Sequence, residues 1–592
     1  MKRRYYIPVL IASLVAMLLG CEDTFLKEIN YNKITPGDYY STASGIKSGV
    51  NGLYGRLRYF YTTEAAINMC ENNTDMFVPP MSIGYMKIDP NTGFVRDFWN
   101  TCYITINQCN TVIYALEKTT IEGLSDSLRT RYLAEAKFIR AHFYDHLVKQ
   151  FGDVPMPLTP TVGIVTTSRR VPIDSVWNVI MSDLNYSISH LPESYSAAEY
   201  GHITRYAAMQ NMAKVLLTNR RADLKSVKLA RSYADTILNS HKFLLSNVEN
   251  LWDITKQRTP DVIQEVIFPV LYSKDVILNG EGNKAHLFFV CAYSEQHEGV
   301  IRSIEYGRGW DRLKPTKYAY RMFLNPSVDI SSESKLLDAR GTAWFQTNWK
   351  INHEEGYVYS SIMYDPKLKV NREVYLPTGS KAMMAAFWTF SPDDCKAVWP
   401  ELVYLPDSMK AVVGDNIQSL SKPNATWPSN VRFFNHLMFP YLNKYLDPTR
   451  PDINYEAGSK DVFVYRLAET YLIAAEAAFL LGKNEEAANY LNMVRKRAEN
   501  EIPDMYDKML ITKEDVTADF ILDERGREMI GELSRWYDLK RFGKLEERLK
   551  WPNLYYDTPV TWYNYWLRPI PREQLLRITN PQDFPQNPGY SN

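Results

Sequence analysis

The pair of residues best spaced for metal chemistry is His142 and His146, which stand four positions apart in Ala141-His-Phe-Tyr-Asp-His146. On a helix this spacing puts both imidazoles on one face, where a metal ion could bind them. The zinc-protease pattern requires a glutamate directly after the first histidine as general base, and Phe143 stands there instead. We therefore interpret the pair as structural, and we predict no metal site and no catalytic residue.

Other patterns that carry catalysis or phosphate binding are missing from the sequence. There is no G-x-x-x-x-G-K-[ST] and no G-x-S-x-G, and Gly307-Arg308-Gly309 lacks the third glycine and the following helix of a phosphate loop. No C-x-x-C occurs either. Cys102 and Cys109 lie two turns apart in a predicted helix, about 10.5 Å, too far for a disulfide within it. We expect buried thiols at these positions.

The amino terminus has the pattern of a secretory signal. Three positive charges in Met1–Arg4 precede the apolar run Ile7–Gly20, which spans about 21 Å as a helix and is too short for a bilayer core of about 30 Å. The run ends Leu18-Leu-Gly-Cys21 and resembles a bacterial lipobox, whose cysteine is acylated; the alternative is a plain signal with a chance cysteine. We expect residues 1–20 to be removed and Cys21 to carry lipid. The acidic residues that follow resemble those of surface-exported lipoproteins in the Bacteroidetes.

Composition excludes some classes of protein and leaves one feature to explain. The 592 residues carry 68 Lys and Arg against 68 Asp and Glu, and removal of the signal leaves 65 against 68. A nucleic-acid binder is disfavoured, because phosphate contacts need a basic surplus. Hydrophobic content of 45% is ordinary for a folded protein. Aromatic content of 13% stands out, with 41 Tyr, 24 Phe and 13 Trp, and is typical of recognition surfaces as well as cores.

Apolar residues recur at helical spacing in several segments. Helices are predicted over residues 94–117, 128–149, 172–190 and 204–239, and most clearly over 462–498, where Gly482 separates two stripes and Asn484 could cap the second helix. This last pair resembles a tetratricopeptide unit, which cannot bury its own face, so the earlier helices are expected to stack on it. The middle, about 245–455, is rich in Pro, Gly and aromatics with short strand-like runs such as Val266–Val270. Such irregular segments usually carry function.

Several motifs in combination resemble the SusD/RagB family. They lie at Ala134–Pro155 (ending Gly-Asp-Val-Pro), Arg466–Ala477, Asn492–Ala498, Glu524–Arg541 (with Arg-Trp-Tyr-Asp-Leu), Leu567–Pro571 and Gln586–Tyr590. The resemblance implies a mostly α fold: tetratricopeptide-like helix pairs form a scaffold, with a loop-rich irregular insertion and a few short strands. The implied organisation is a lipoprotein signal peptide at 1–20, an N-terminal helical region at 21–244, a variable region at 245–455 on the ligand side, and a C-terminal region at 456–592 with the tetratricopeptide-like pair. We interpret the charges of 524–538 as ion pairs at helical spacing on one helix, rather than as an acid/base couple.

The resemblance also implies a function. Members of this family are outer-membrane surface lipoproteins that capture a nutrient, usually a glycan, and deliver it to a SusC-like, TonB-dependent barrel. No catalysis, cofactor or nucleic-acid partner is implied. Three alternatives stay open: capture of peptides or another nutrient, a glycan-degrading surface lipoprotein, and a purely structural helical scaffold.

Ligand residues are predicted from composition. Sugar rings have apolar faces and polar edges, so a binder needs aromatic platforms with polar side chains beside them. The candidates are Tyr85, Trp99, Asn100, Tyr306, Trp310, Arg312 and Trp344. Trp310, in a loop with glycines, is the foremost of them; Trp99 lies on a helical stripe, where a core position is the competing interpretation.

Overall fold

The computed structural model describes a large part of the chain. The described residues are 39–79, 88–219, 223–295, 299–323, 338–359, 364–365, 370–371, 374–379, 381–384, 439–498, 509–550 and 566–591. The expected lipid site Cys21 and the expected ligand residue Tyr85 lie outside them.

Within that part of the chain the protein is mostly α-helical, which confirms the predicted fold class. The helices are α1 Ala43–Tyr61, α2 Glu64–Cys70, α3 Gly93–Lys118, α4 Asp126–Phe151, α5 Ile173–His190, α6 Arg205–Asn219, α7 Leu224–Leu238, α8 Val248–Leu251, α9 Pro260–Ile263, α10 Val276–Asn279, α11 His286–Phe289, α12 Lys317–Arg321, α13 Ala339–Ala343, α14 Leu467–Leu480, α15 Asn484–Arg497, α16 Ala518–Met529, α17 Arg535–Arg541, α18 Leu545–Leu549 and α19 Arg572–Arg577.

The strands are short and pair two by two. They are β1 Phe77–Val78, β2 Val266–Val270, β3 Lys314–Pro315, β4 Phe345–Gln346, β5 Asn348–Lys350, β6 Tyr357–Tyr359, β7 Tyr364–Asp365, β8 Val370–Asn371, β9 Val374–Leu376, β10 Lys381–Met384, β11 Tyr441–Leu442 and β12 Val462–Arg466. The antiparallel pairs are β1 with β3, β2 with β12, β4 with β11, β5 with β10, β6 with β9 and β7 with β8.

The long helices form a continuous stack. Each of α3 to α7 packs against the next, α7 packs against α14, and α14 packs against α15. The predicted stacking of the earlier helices on the 462–498 pair is therefore confirmed. Four alanines of α14, at positions 474, 475, 477 and 478, are fully buried, so the neighbouring helices approach its backbone closely.

The start of the 462–498 segment differs from the prediction. Val462–Arg466 is an extended strand that pairs with β2, with Val462 opposite Val270, and the helix begins only at Leu467. All five strand residues are buried. Because a strand that is buried on both faces is apolar at nearly every position, its residues also fit the spacing of a helix. Asn484 is the first helical residue rather than the cap, which is Lys483.

The 524–538 segment is not one helix, so the prediction of ion pairs along a single helix is wrong. The first helix ends at Met529, and left-handed residues Gly531 (φ 78°) and Leu533 (φ 57°) turn the chain before Arg535. A Cβ on Gly531 would lie 2.4 Å from Leu442, so only glycine fits there. Two pairs at a spacing of three do form, Arg527 with Glu524 and Arg541 with Asp538.

Most of these carboxylates instead pair with arginines that are distant in sequence. Arg340 of α13 binds Glu524 and Glu528 of α16, both at 2.8 Å, and Arg466 binds Glu528 as well. All are buried. Although burial raises the pKa of Glu528, Arg497 and Arg466 hold that pKa well below its usual range. A buried ionic cluster therefore joins residues 338–343 to the helical scaffold.

Candidate functional site

His142 and His146 are side chains of the core. The Nε2 atom of His142 lies 2.7 Å from the Tyr61 hydroxyl and its Nδ1 atom 3.2 Å from the Tyr465 hydroxyl, while His146 Nδ1 lies 2.9 Å from the Tyr537 hydroxyl. Burial lowers the pKa of His142 to about 3, so the ring is neutral. Among the described residues no group of three or more His, Cys, Asp or Glu is arranged to hold a metal ion.

The four described cysteines, at positions 70, 102, 109 and 291, are free and buried, as predicted for Cys102 and Cys109. A cavity of about 50 Å³ lies beside His142 and Asp145. Since one water needs about 10–15 Å³ of such space, this cavity has room for a few waters and not for a sugar ring.

A surface with the composition expected for ligand capture lies where two loops meet the C-terminal end of α1. We call it the capture surface and define it by Tyr59, Glu64, Ile277, Leu278, Trp310 and Arg312. Two contacts bring its parts together: Arg312 Nε lies 3.2 Å from Glu64 Oε1, and the Arg58 guanidinium donates to the Leu278 carbonyl at 2.9 Å.

Trp310 is held by its backbone and by one neighbouring ring. Its N–H donates to the Leu287 carbonyl at 2.7 Å, and its indole meets the Phe288 ring edge-on with centroids 5.7 Å apart. The residue is half-buried, so part of the indole remains in contact with solvent. A Cβ on Gly309 would lie 2.3 Å from the Val290 carbonyl oxygen, so the loop can approach this backbone only with glycine there.

The loop that carries Trp310 also carries charge. Arg312 and Glu64 are both about half exposed, and between Trp310 and Arg312 the chain turns through Asp311 in the left-handed region at φ 53°. A non-glycine residue in that region is uncommon and often marks a functional loop. The loop can therefore offer an aromatic ring at Trp310 and charge-assisted hydrogen-bonding groups at Arg312 and Glu64.

Sequence reasoning missed the exposed aliphatic residues of this surface. Ile277 is 90% exposed and Leu278 is 64% exposed, in α10. The run Asp275-Val-Ile-Leu-Asn279 resembles a buried segment, and no local pattern signals that two of its side chains face water.

Three of the predicted ligand residues have packing roles instead. Trp99 is 2% exposed and packs against Tyr103 and Phe151. Trp344 is fully buried beneath the Lys444 ammonium, 3.8 Å from its ring centroid.

Tyr306 is likewise buried; its hydroxyl accepts from Lys350 N–H at 3.0 Å, and its carbonyl accepts from the Tyr441 hydroxyl at 2.6 Å. Asn100 is half-buried on α3. Of the predicted ligand residues, Arg312 is thus exposed and Trp310 half-buried, whereas Trp99, Trp344 and Tyr306 do not lie on an accessible surface.

The capture surface is supported from beneath by a buried polar loop that follows α2. Thr316 N–H donates to the Met76 carbonyl at 2.8 Å, and the Thr316 hydroxyl donates to the Asp75 carbonyl at 2.5 Å. The Asp75 carboxylate in turn accepts two hydrogen bonds from Arg535. The segment that carries Trp310 and Arg312 is therefore tied to scaffold helix α17.

The fold defines a class: an α-helical scaffold of tetratricopeptide-like pairs, here with a loop-built surface that carries Trp310 and Arg312. The chain belongs to the SusD family, whose sequence profile matches residues 264–590. A second profile, described as starch-binding associating with outer membrane, matches residues 38–217. None of the helices in the described part is long and apolar enough to cross a bilayer.

Relatives match over nearly the whole chain. SusD-like protein P25 of Formosa agariphila is 25% identical over 591 residues, which cover 95% of each chain. The starch-binding protein SusD of Bacteroides thetaiotaomicron is 21% identical over 79% of this chain and 74% of its own. Surface glycan-binding protein A of Bacteroides thetaiotaomicron, solved with laminarihexaose, superimposes with a TM-score of 0.62 at 18% identity, over 92% of this chain and 99% of that one.

Proposed function

We propose that this protein is an outer-membrane surface lipoprotein that binds a glycan at the capture surface and delivers it to a SusC-like, TonB-dependent transporter. The observation that carries the proposal is the half-buried Trp310 in a loop that also carries Arg312, whose guanidinium pairs with Glu64. Family membership and the glycan-binding names of relatives support it.

Binding on this surface would be non-covalent. The exposed part of the Trp310 indole can stack on the apolar face of a sugar ring. The Arg312 guanidinium can donate to ring hydroxyls, and the Glu64 carboxylate can accept from them.

The position of the capture surface suits a lipid-anchored protein. The chain enters the described fold at Tyr39, and Ala43 N–H donates to the Glu122 carbonyl near the start of α1. The capture surface lies at the other end of this 19-residue helix, about 28 Å away at the helical rise. The end of α1 that lies nearer to Cys21 in sequence is therefore remote from the capture surface.

A glycan panel that includes starch and laminarin tests the proposal by affinity electrophoresis. Retardation by at least one glycan, without release of smaller sugars, is the expected result. Release of sugars would favour the hydrolase alternative, and binding only to a peptide panel would favour peptide capture. Lipidation is tested with labelled palmitate, which should be incorporated into the native chain and not into Cys21→Ala.

A further inference from the structure

The cavity of about 50 Å³ beside His142 has a charged wall although it lies inside the helical scaffold. We call it the ionic chamber. Helices α4, α6, α14, α16 and α17 and strand β12 contribute residues to its wall. The charged residues of the wall include Asp145, Lys149, Lys214, Arg525, Asp538 and Arg541. None of the wall residues belongs to the capture surface, so the ionic chamber is a separate site.

Ion pairs hold the charged side chains of the wall in place. Lys149 Nζ lies 2.5 Å from Asp145 Oδ2. Arg525 Nε lies 3.0 Å from Asp538 Oδ2, and Arg541 Nη2 lies 2.9 Å from Asp538 Oδ1. The side chains of all five residues are less than one-tenth exposed. The wall is therefore built from paired charges that bulk solvent scarcely reaches.

Two carboxylates outside the lining complete the ion pairs of the wall. Glu469 Oε1 lies 2.8 Å from Lys214 Nζ and 3.1 Å from Arg525 Nη2. Glu476 pairs with Arg541. Both carboxylates are fully buried. Every cation of the wall therefore has at least one carboxylate partner.

The charges around the ionic chamber cancel. The four cations are Lys149, Lys214, Arg525 and Arg541, and the four carboxylates that pair with them are Asp145, Glu469, Glu476 and Asp538. Glu532 also lines the chamber and is neutralised by Lys444 and Arg466. His142 and His146 add no charge, because burial holds the pKa of both well below its usual range. An ion of either sign would leave a net charge in the interior, which is costly, so a neutral occupant is favoured.

Two buried polar atoms of the wall accept or donate no hydrogen bond within the described part of the chain. They are Asp145 Oδ1 and Arg525 Nη1, on residues that are 5% and 2% exposed. A carboxylate oxygen can only accept and a guanidinium nitrogen can only donate. Leaving either atom unsatisfied in the interior is unfavourable. The occupant must therefore donate to Asp145 and accept from Arg525.

Water is the small neutral molecule that does both. At about 10–15 Å³ for each water, a cavity of about 50 Å³ holds about three to five. We propose that the ionic chamber is a specific site for a cluster of about three to five waters, in which one water donates to Asp145 Oδ1 and another accepts from Arg525 Nη1. Asp145 lies on α4 and Arg525 on α16, so the cluster links these two scaffold helices by hydrogen bonds.

The test is crystallography of the full chain at a resolution that orders internal solvent, with parallel crystals soaked in bromide or pressurised with xenon. We expect solvent oxygen density within hydrogen-bond distance of Asp145 Oδ1 and of Arg525 Nη1, and neither bromide nor xenon in the ionic chamber. Asp145→Asn, the matched control, keeps a polar side chain of the same shape and should keep the water at this position. Asp145→Leu removes the acceptor and should lose that water, while the water on Arg525 stays.

Four results would overturn the proposal. Bromide in the ionic chamber would make it an anion site, and xenon would make it a dry cavity. Wild-type crystals without solvent density at either atom would exclude the cluster, and they decide the question even where Asp145→Leu fails to fold. A water that stays in place in Asp145→Leu would show that Asp145 does not hold it. None of these results bears on glycan capture.

Discussion

Arg535 and Asp75 form a buried two-pronged ion pair across 460 residues of sequence, with Nε to Oδ1 at 2.6 Å and Nη2 to Oδ2 at 2.5 Å. Asp75 belongs to the loop that hydrogen-bonds Thr316, and Arg535 begins α17. This pair therefore connects the tetratricopeptide-like scaffold to the chain that carries the capture surface.

Asp75→Asn should destabilise the protein, because it leaves the buried Arg535 guanidinium without a full counter-charge. Removal of one partner from a buried pair typically costs about 3–5 kcal/mol. Urea unfolding measures the loss. The control is Asp97→Asn, which removes the exposed Arg96–Asp97 pair and should change the free energy of unfolding by less than about 0.5 kcal/mol. Equal effects of the two substitutions would show that the buried pair has no special structural role.

Gly309→Ala should weaken glycan binding, because the new Cβ would collide with the Val290 and Cys291 carbonyl oxygens at 2.3 and 2.8 Å and displace Trp310. Overpacking of this kind costs about 1–3 kcal/mol. Gly52→Ala in α1 is the matched control, since nothing lies within 4 Å of its Cβ position; it should be neutral or slightly stabilising. Wild-type glycan affinity in Gly309→Ala would contradict the proposed placement of the loop.

Glu71→Gln should flatten the decline of stability between about pH 5 and pH 8. Burial, opposed by the Ser534 N–H, raises the pKa of Glu71 from 4.5 to about 8, so between these values the folded state binds the proton that the unfolded state has released. Stability from this group is therefore lost as pH rises through that window. Urea unfolding should therefore show that the free energy of unfolding of the variant, relative to that of the wild type, is higher at pH 8 than at pH 5. A constant difference would mean that Glu71 is ionised in the fold.

His142→Gln should reduce the loss of stability that the wild type shows as the pH falls. Burial lowers the pKa of His142 from 6.5 to about 3, so between these values the unfolded state binds the proton more tightly and wild-type stability falls as pH falls. Glutamine keeps hydrogen-bonding groups near Tyr61 and Tyr465 but does not titrate. The free energy of unfolding of the variant should therefore change less between pH 6.5 and pH 4 than that of the wild type. Parallel pH profiles would contradict a neutral, buried His142.

The helical scaffold was predictable from sequence because its helices are long, carry apolar residues at helical spacing and have clear stop signals, such as Gly152 after α4. The strand at Val462–Arg466 was predicted as a helix, because a fully buried strand and the apolar face of a helix have the same composition. The pairing of Glu524 with Arg340 was not predictable either, since partners 184 residues apart leave no local pattern.

Among the ligand candidates, the glycines around Trp310 correctly indicated a surface loop, whereas composition alone could not separate buried Trp344 from an exposed platform. The exposed aliphatic residues of α10, Ile277 and Leu278, lie in a run that has the composition of a core segment. Their exposure to solvent becomes visible only in the three-dimensional structure.

The most direct test of the central claim is calorimetric titration of the wild-type protein and Trp310→Ala with the glycan that retards the wild type most. Tyr114→Ala is the matched control, because Tyr114 is an exposed aromatic on α3, toward the end of that helix where the chain enters the fold. Loss of ring stacking should raise the Kd of Trp310→Ala about two- to tenfold, since aromatic contacts contribute about 0.5–1.5 kcal/mol beyond area burial. The control should bind like wild type. Equal affinity of Trp310→Ala and wild type would contradict the assignment of glycan capture to this surface.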